Sequence, residues 1–229
     1  RLFVDVALAP AAAWEHASAE RVVLLEALLA RDAWLDRNAL RARSDAVVAA
    51  LLEPCASFKS TDRAKKENAL SCLASVAAVV RACVVDAGDE GKRRRLVPFS
   101  KRAGPLFPEG SPVAKAAAAA FDTADRLLNR DDERTKRAAL DVLWEVLYCL
   151  DAKLALEKFL DALLPHLPEN YPEDYRDDAE TQVDALLRAA AVLDVDAFLK
   201  AVQDASAAQR TNVLCSLEDH VGMISMMHR

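Results

Sequence analysis

Two adjoining helical patterns in residues 131–164 constrain the fold of this chain more than any other feature. In the first, Leu140, Leu143, Trp144 and Leu147 recur at the spacing of one face of an α-helix. The second pattern repeats this spacing through Leu156, Phe159, Leu160, Leu163 and Leu164. A connection this short requires the two helices to lie antiparallel. Because one hairpin cannot cover both of its apolar faces, further hairpins must stack on it.

The borders of these helices carry signals for helix starts and stops. Asp131, Asp132 and Glu133 stand at the positive end of the first helix dipole, where carboxylates are stabilising. Asp151 is the predicted N-cap of the second helix, and Pro165 ends it.

The composition favours an all-α fold. The chain has 46 alanines and five glycines, and alanine has the best helix propensity whereas glycine is poor. No segment alternates as a strand does, and no Asn-Gly or Asp-Gly turn is present. About ten helices are predicted. They include the pair in residues 131–164, a short helix near 92–103, and a helix over about 112–129 that is capped by Ser111 and has Pro112 at its first position. The other predicted helices span about 17–30, 34–53, 61–86, 176–193, 195–204 and 207–221.

The predicted organisation is one helical-repeat domain over residues 17–221, with an irregular insertion at 88–111. Four of the five glycines lie between positions 88 and 112, which is typical of a long loop. Residues 1–16 show no clear period and are an unassigned lead-in, while 222–229 form a tail. The first residue, Arg1, is not methionine, so we expect a fragment or a processed product.

The five cysteines predict a reduced, intracellular protein, most simply a cytoplasmic one. They form an odd set without CxxC spacing, and most lie on apolar helix faces. No run reaches about 18 uncharged apolar residues, so no membrane span is expected.

Charge is distributed unevenly along the chain. Residues 1–110 contain 17 basic and 14 acidic side chains, a net charge of +3, whereas residues 111–229 contain 13 and 22, a net charge of −9. Binding of the whole chain to nucleic acid is therefore not expected, although a local basic surface remains open.

Two segments 70 residues apart share the pattern K-x-x-A-x-x-x-L. They are KENALSCL from Lys66 to Leu73 and KRAALDVL from Lys136 to Leu143. A separation of 70 corresponds to two units of about 35 residues, as in helical-hairpin repeats. The alanine allows close helix approach, and the leucine one turn later fills the core.

These segments resemble the second helix of HEAT/armadillo repeats, whose pattern is V-R-x-x-A-x-x-x-L. Lys66 and Lys136 stand at the arginine position, whereas Lys65 and Thr135 replace the usual valine. The resemblance implies a right-handed superhelical stack of antiparallel helix pairs. It also implies a non-enzymatic scaffold that binds a protein partner through its intra-repeat turns or its concave face.

In such a stack, the turns near 54–60, 129–132, 165–175 and 205–207 share one edge. Its beginning is basic and its end, with Glu169, Glu173, Asp174, Asp177 and Asp178, is acidic. Two interpretations are open. The charged strip steers an acidic protein partner onto the basic first half of the edge, or its charged side chains are only solvated residues at helix starts. The predicted partner-binding cations are Lys59, Arg63, Lys65, Lys66, Arg130, Arg134, Lys136 and Arg137.

A second basic patch lies in the insertion, and it has three open interpretations. It contacts a phosphate or an acidic peptide, acts as a localisation signal, or only keeps the loop soluble. Its residues are Lys92, Arg93, Arg94, Arg95, Lys101 and Arg102.

Trp34 is a candidate aromatic anchor for a partner, with packing against the preceding helix as the alternative. No catalytic or metal motif accompanies these surfaces. The four histidines are scattered, and the chain has no HExxH, GxSxG, GxGxxG or Walker sequence. We therefore predict neither an enzyme nor a bound cofactor or metal.

Two family-level alternatives specify the partner. A tubulin-binding TOG domain has about this length and uses intra-repeat turns to bind acidic tubulin, and the basic turns at 59–66 and 130–137 look similar in kind. Some HEAT-type proteins are DNA glycosylases, but the net charge of −9 on residues 111–229 argues against that class.

Overall fold

A computed structural model describes residues 2–8, 27, 36–59, 61–84, 96–130, 132–166, 179–205, 210 and 213 of the 229. These residues form α-helices, short 3₁₀ segments and loops, and no strand occurs among them. The helices are Leu2–Ala7 (α1), Arg37–Leu52 (α2), Arg63–Val84 (α3), Pro112–Leu128 (α4), Glu133–Leu147 (α5), Lys153–Leu163 (α6), Ala179–Ala191 (α7) and Val195–Asp204 (α8). The 3₁₀ segments are Glu53–Lys59, Phe99–Lys101 and Leu164–His166.

The all-α prediction is confirmed for this part of the chain, and helices α2 to α8 follow predicted patterns closely. Of the predicted helices at 17–30 and 207–221, only Ala27, Arg210 and Val213 are described, and each of them is helical. Two local differences stand out. Leu2–Ala7 is helical although it showed no period, and the described part of 92–103 forms only the 3₁₀ turn Phe99–Lys101.

One predicted cap is confirmed and one is wrong. The Ser111 side chain accepts the Ala114 N–H at 3.3 Å, with Pro112 as the first helical residue. Asp151 does not cap α6: the N-cap is Ala152, which makes no side-chain cap bond. Asp151 instead lies close enough to Arg102 for its charge to act on that guanidinium.

The described residues group into two compact units, and unit 1 comprises residues 1–94 and 106–149. In it, α2 packs against α3 and α4, α5 packs against α3 and α4, and α1 packs against α2. The Arg41 side chain donates to the carbonyl of Cys83 at 2.8 Å, so the start of α2 meets the end of α3. These two helices are therefore antiparallel.

The core of unit 1 is built from the apolar faces that define its helices. Leu73 on α3 and Leu143 on α5 are fully buried, as are the alanines one turn earlier, Ala69 and Ala139. Burying one leucine contributes about 1.5–3 kcal/mol. Other fully buried leucines are Leu40, Leu140 and Leu147.

Helix α3 is long and apolar enough, by length and composition alone, to cross a membrane. In unit 1 it is a central helix, and its face from Ala69 to Cys83 is buried where it packs with α2 and α5. Core helices commonly meet such a criterion.

Unit 2 comprises residues 95–105 and 150–229, and its described helices α6, α7 and α8 pack against one another. Phe159 of α6 and Phe198 of α8 are among its largest buried side chains. The segment 95–105 belongs to this unit, because the Phe99 N–H donates to the carbonyl of Leu193 at 2.9 Å. A piece of the predicted insertion is thus integrated into a helical core.

Candidate functional site

The first turns of α3 and α5 lie side by side in unit 1, and we call residues 62–67 and 132–137 the turn edge. The Arg134 guanidinium on α5 donates two hydrogen bonds to the carboxylate of Glu67 on α3, at 2.8 and 2.9 Å. At the other end of the same helices, Arg81 of α3 bonds Glu145 of α5 at 2.6 Å. Because starts meet starts and ends meet ends, α3 and α5 run parallel.

Acidic residues hold the two helix starts in place. Asp62 accepts the backbone N–H groups of Ala64 and Lys65 at 2.9 and 3.4 Å. Asp132 is the N-cap of α5 and accepts the hydroxyl of Thr135. Carboxylates at these positions complement the helix dipoles. The cations that follow are therefore presented by rigid first turns.

Most of the predicted partner-binding cations come together at this edge. Arg63, Lys65 and Lys66 are exposed on α3. Arg134 is exposed on α5, and Lys136 and Arg137 are half-buried there. Lys66 and Lys136 are each the fourth residue of their helix, so the two echoing segments occupy equivalent positions on neighbouring parallel helices.

The remaining two cations border the turn edge. Arg130 follows the end of α4 and is half-buried. Lys59 ends the 3₁₀ segment before α3, and its side chain is outside the described part.

The turn edge is less uniformly basic than its cations alone suggest, because acidic side chains lie between them. Arg134 is paired with Glu67, and the Arg137 side chain bonds Glu133 at 3.1 Å. Across the described residues, Lys65, Lys66 and Lys136 take part in no ion pair. These three lysines are the cations most available to a ligand.

Glu67 is the residue that sequence reasoning missed. Its hydrogen bonds from Arg134 lower the pKa of the Glu67 carboxyl, and the same contact raises the pKa of Arg134. Both groups are therefore ionised at neutral pH. The only signal in the sequence was an acid near the start of α3, which does not reveal a partner 67 residues away.

The second basic patch is only partly described: Lys92, Arg93, Arg94 and Arg95 lie outside the described residues, and so does Trp34. Lys101 is exposed at the end of the 3₁₀ turn.

Arg102 has a structural role in unit 2. It donates to the carbonyls of Val97 and Leu150 at 3.0 and 2.5 Å and stacks over the Phe99 ring at 4.7 Å. Burial lowers the pKa of Arg102, while Asp151 opposes that shift.

A buried ion pair at the far end of α3 and α5 was also missed. Glu145 is 3 % exposed and accepts both Nε and Nη2 of Arg81, at 2.9 and 2.6 Å. Beside it, burial raises the pKa of Asp141, an effect that the Arg81 charge partly offsets. The bonds between Arg81 and Glu145 join α3 to α5.

The described ranges contain no group of three or more histidine, cysteine or acidic side chains that could hold a metal ion. The predicted acidic end of the edge, in residues 169–178, lies outside those ranges.

Comparisons with protein-family models, with curated proteins and with solved structures found no match for this chain.

Proposed function

We propose that this chain is a non-enzymatic scaffold that binds an acidic protein segment at the turn edge. The observation that carries the proposal is the pairing of two parallel helix starts, which present Lys65, Lys66 and Lys136 outside any ion pair of the described structure. Cations held on rigid turns lose little conformational freedom on binding, so less binding energy is spent on ordering them. Their field also steers negatively charged partners.

The proposed architecture is a right-handed stack of HEAT-like helix pairs. The packing within unit 1 supports this. The helices α2 and α3 form one antiparallel pair, and α4 and α5 form the next. The first helices of the two pairs, α2 and α4, pack against each other, and so do the second helices, α3 and α5. In an up-and-down four-helix bundle, the second and third helices would be principal neighbours. The equivalent placement of Lys66 and Lys136 gives further support.

The test is binding of a fluorescein-labelled oligo-glutamate peptide, followed by fluorescence anisotropy, with an oligo-glutamine peptide as the uncharged comparison. We expect the paired substitutions Lys66→Glu and Lys136→Glu to weaken binding about tenfold or more, because two attractive contacts become repulsive. Both variants place an acid in a first helical turn, which favours the fold.

The matched control carries Lys115→Glu and Lys158→Glu, which change the net charge equally at exposed lysines that are not part of the turn edge. Affinity that falls to the same extent in both variants would mean that net charge alone matters. Absence of peptide binding by the unmodified chain would refute the proposal.

Two further assays test the specific alternatives, tubulin and DNA, as partners. Co-sedimentation with tubulin that is lost on reversal at Lys66 and Lys136 would assign the TOG-like function. Retention on heparin at moderate salt would favour the glycosylase-like alternative, since phosphate contacts dominate such binding.

A further inference from the structure

The bidentate contact between Arg134 and Glu67 has the geometry by which an arginine recognises the carboxylate of a binding partner. A planar guanidinium that donates two parallel bonds to one carboxylate is the geometry by which arginine selects glutamate or aspartate. Here the two bonds are 2.8 and 2.9 Å long, and they join different helices. Glu67 thus occupies the position that a carboxylate of an acidic partner would take.

This internal pair lies in water. The side chains of Arg134 and Glu67 are 65 % and 43 % exposed. Exposed ion pairs contribute little to stability, because both groups are well solvated when apart. Replacing one carboxylate by another is therefore a nearly balanced exchange.

The displaced carboxylate has a second cation within reach. Arg63 precedes Glu67 by four residues on α3, a spacing that brings side chains together on a helix surface. The Arg63 charge already acts on Glu67 and helps to lower its pKa. A move of Glu67 from Arg134 towards Arg63 therefore keeps every charge compensated.

We propose that Glu67 is an internal competitor, which occupies Arg134 in the unbound protein and is displaced by a glutamate or aspartate side chain of the partner. This inference rests on the proposed function and makes Arg134 the contact that selects a carboxylate. The three lysines then attract the acidic segment, and Arg134 takes one of its side chains. Affinity is reduced by the fraction of time that Glu67 occupies the guanidinium.

The test is a double-mutant cycle on oligo-glutamate binding, with Glu67→Gln, Arg134→Gln and the two combined. Glu67→Gln should tighten binding by about two- to fivefold. This is the gain expected if Glu67 occupies Arg134 for about half to four-fifths of the time, as an exposed ion pair would. In the Arg134→Gln background, the same substitution should give a markedly smaller gain, because no guanidinium remains to be released. Asp122→Asn is the matched control, since it removes an equal charge from an exposed acid of unit 1 that is in no ion pair of the described residues.

A second readout follows the displacement directly. Saturating oligo-glutamate should raise the pKa of Glu67, measured by NMR of its carboxyl carbon, towards the ordinary value for glutamate. Equal gains from Glu67→Gln and Asp122→Asn, or an undiminished gain without Arg134, would overturn the inference and leave the proposed function standing. If the unmodified chain and Glu67→Gln both fail to bind, the proposed function and this inference fall together.

Discussion

At the scale of single residues, α3 and α5 are joined by two ion pairs with opposite energetics. Arg134 and Glu67 meet in water, whereas the Glu145 carboxylate is buried and accepts two hydrogen bonds from Arg81, whose side chain is 59 % exposed. Removing one member of a buried pair leaves an unpaired charge in a poorly solvated place, which is much costlier than breaking an exposed pair.

Arg81→Met should therefore destabilise the protein by about 2 kcal/mol, because it keeps the aliphatic stem but removes the two charged hydrogen bonds that the buried Glu145 carboxylate accepts from Arg81. Glu145→Gln should cost less than about 1 kcal/mol, since the amide oxygen still accepts a bond and no charge is buried. Urea unfolding measures both. Arg134→Met, the same substitution in the exposed pair, should leave the urea midpoint nearly unchanged. Equal losses for Arg81→Met and Glu145→Gln would contradict this account.

The cysteines give a second prediction at this scale. Cys55, Cys72, Cys83 and Cys149 are buried and form no disulfide with one another, so these four lie in the core as their apolar helix faces predicted. Burial raises the pKa of Cys55 to about 12 and that of Cys83 to about 11, so neither forms its reactive thiolate near neutral pH.

An aromatic disulfide reagent at pH 8 should therefore leave these two thiols unmodified in the folded protein and modify them in urea, as read by mass spectrometry. Because the folded pKa exceeds the ordinary 9.0, the stabilising contribution of these thiols is complete below that pH and declines as the pH rises above it. Rapid native labelling of Cys55 would contradict their burial.

At the scale of secondary-structure elements, helix starts are fixed in two ways. The helix α4 begins with a side-chain cap, in which Ser111 accepts the Ala114 N–H. The helix α6 begins without one, and its neighbour Asp151 interacts with Arg102. A local side-chain bond therefore marks the start of α4, whereas α6 begins without one.

Ser111→Ala should reduce stability by about 1 kcal/mol, the usual cost of losing a serine cap. Thermal unfolding of the variant, compared with Ser100→Ala in the exposed 3₁₀ turn, provides the measurement. The Ser100 variant should unfold with the parent. A Ser111 variant that also unfolds with the parent would show that the cap contributes nothing.

At the scale of the whole molecule, the chain leaves unit 1 and returns to it. Residues 95–105 belong to unit 2, although they lie between α3 and α4 in sequence. The bond from the Phe99 N–H to the Leu193 carbonyl makes this segment depend on the core around Phe198.

Phe198→Ala should therefore reduce hydrogen-exchange protection of the Phe99 amide together with that of α8. Truncating a buried phenylalanine costs about 3–5 kcal/mol, enough to open the core that holds the segment. Leu143→Ala in the core of unit 1 is the matched control, and it should affect the amides of α3 and α5 first. Protection at Phe99 that follows α4 and not α8 would contradict the assignment to unit 2.

The helical patterns themselves were readable because they are local. Periodic leucines predicted α5 and α6, the alanine-rich composition predicted an all-α fold, and Ser111 with Pro112 marked the start of α4. The basic turn edge was also predictable in part, since Lys66 and Lys136 stand in matching sequence patterns. Spacing along one helix determines which residues share a face, whatever else the chain does.

Only the tertiary structure decided which charges face one another. Glu67 became the partner of Arg134, Glu145 that of Arg81, and Asp151 a neighbour of Arg102 and not a helix cap. Each of these contacts depends on how parallel or neighbouring segments align in space, and one residue of register would change it. A sequence specifies helix faces through short-range periodicity, whereas the pairing of charges across helices follows from packing that no local pattern encodes.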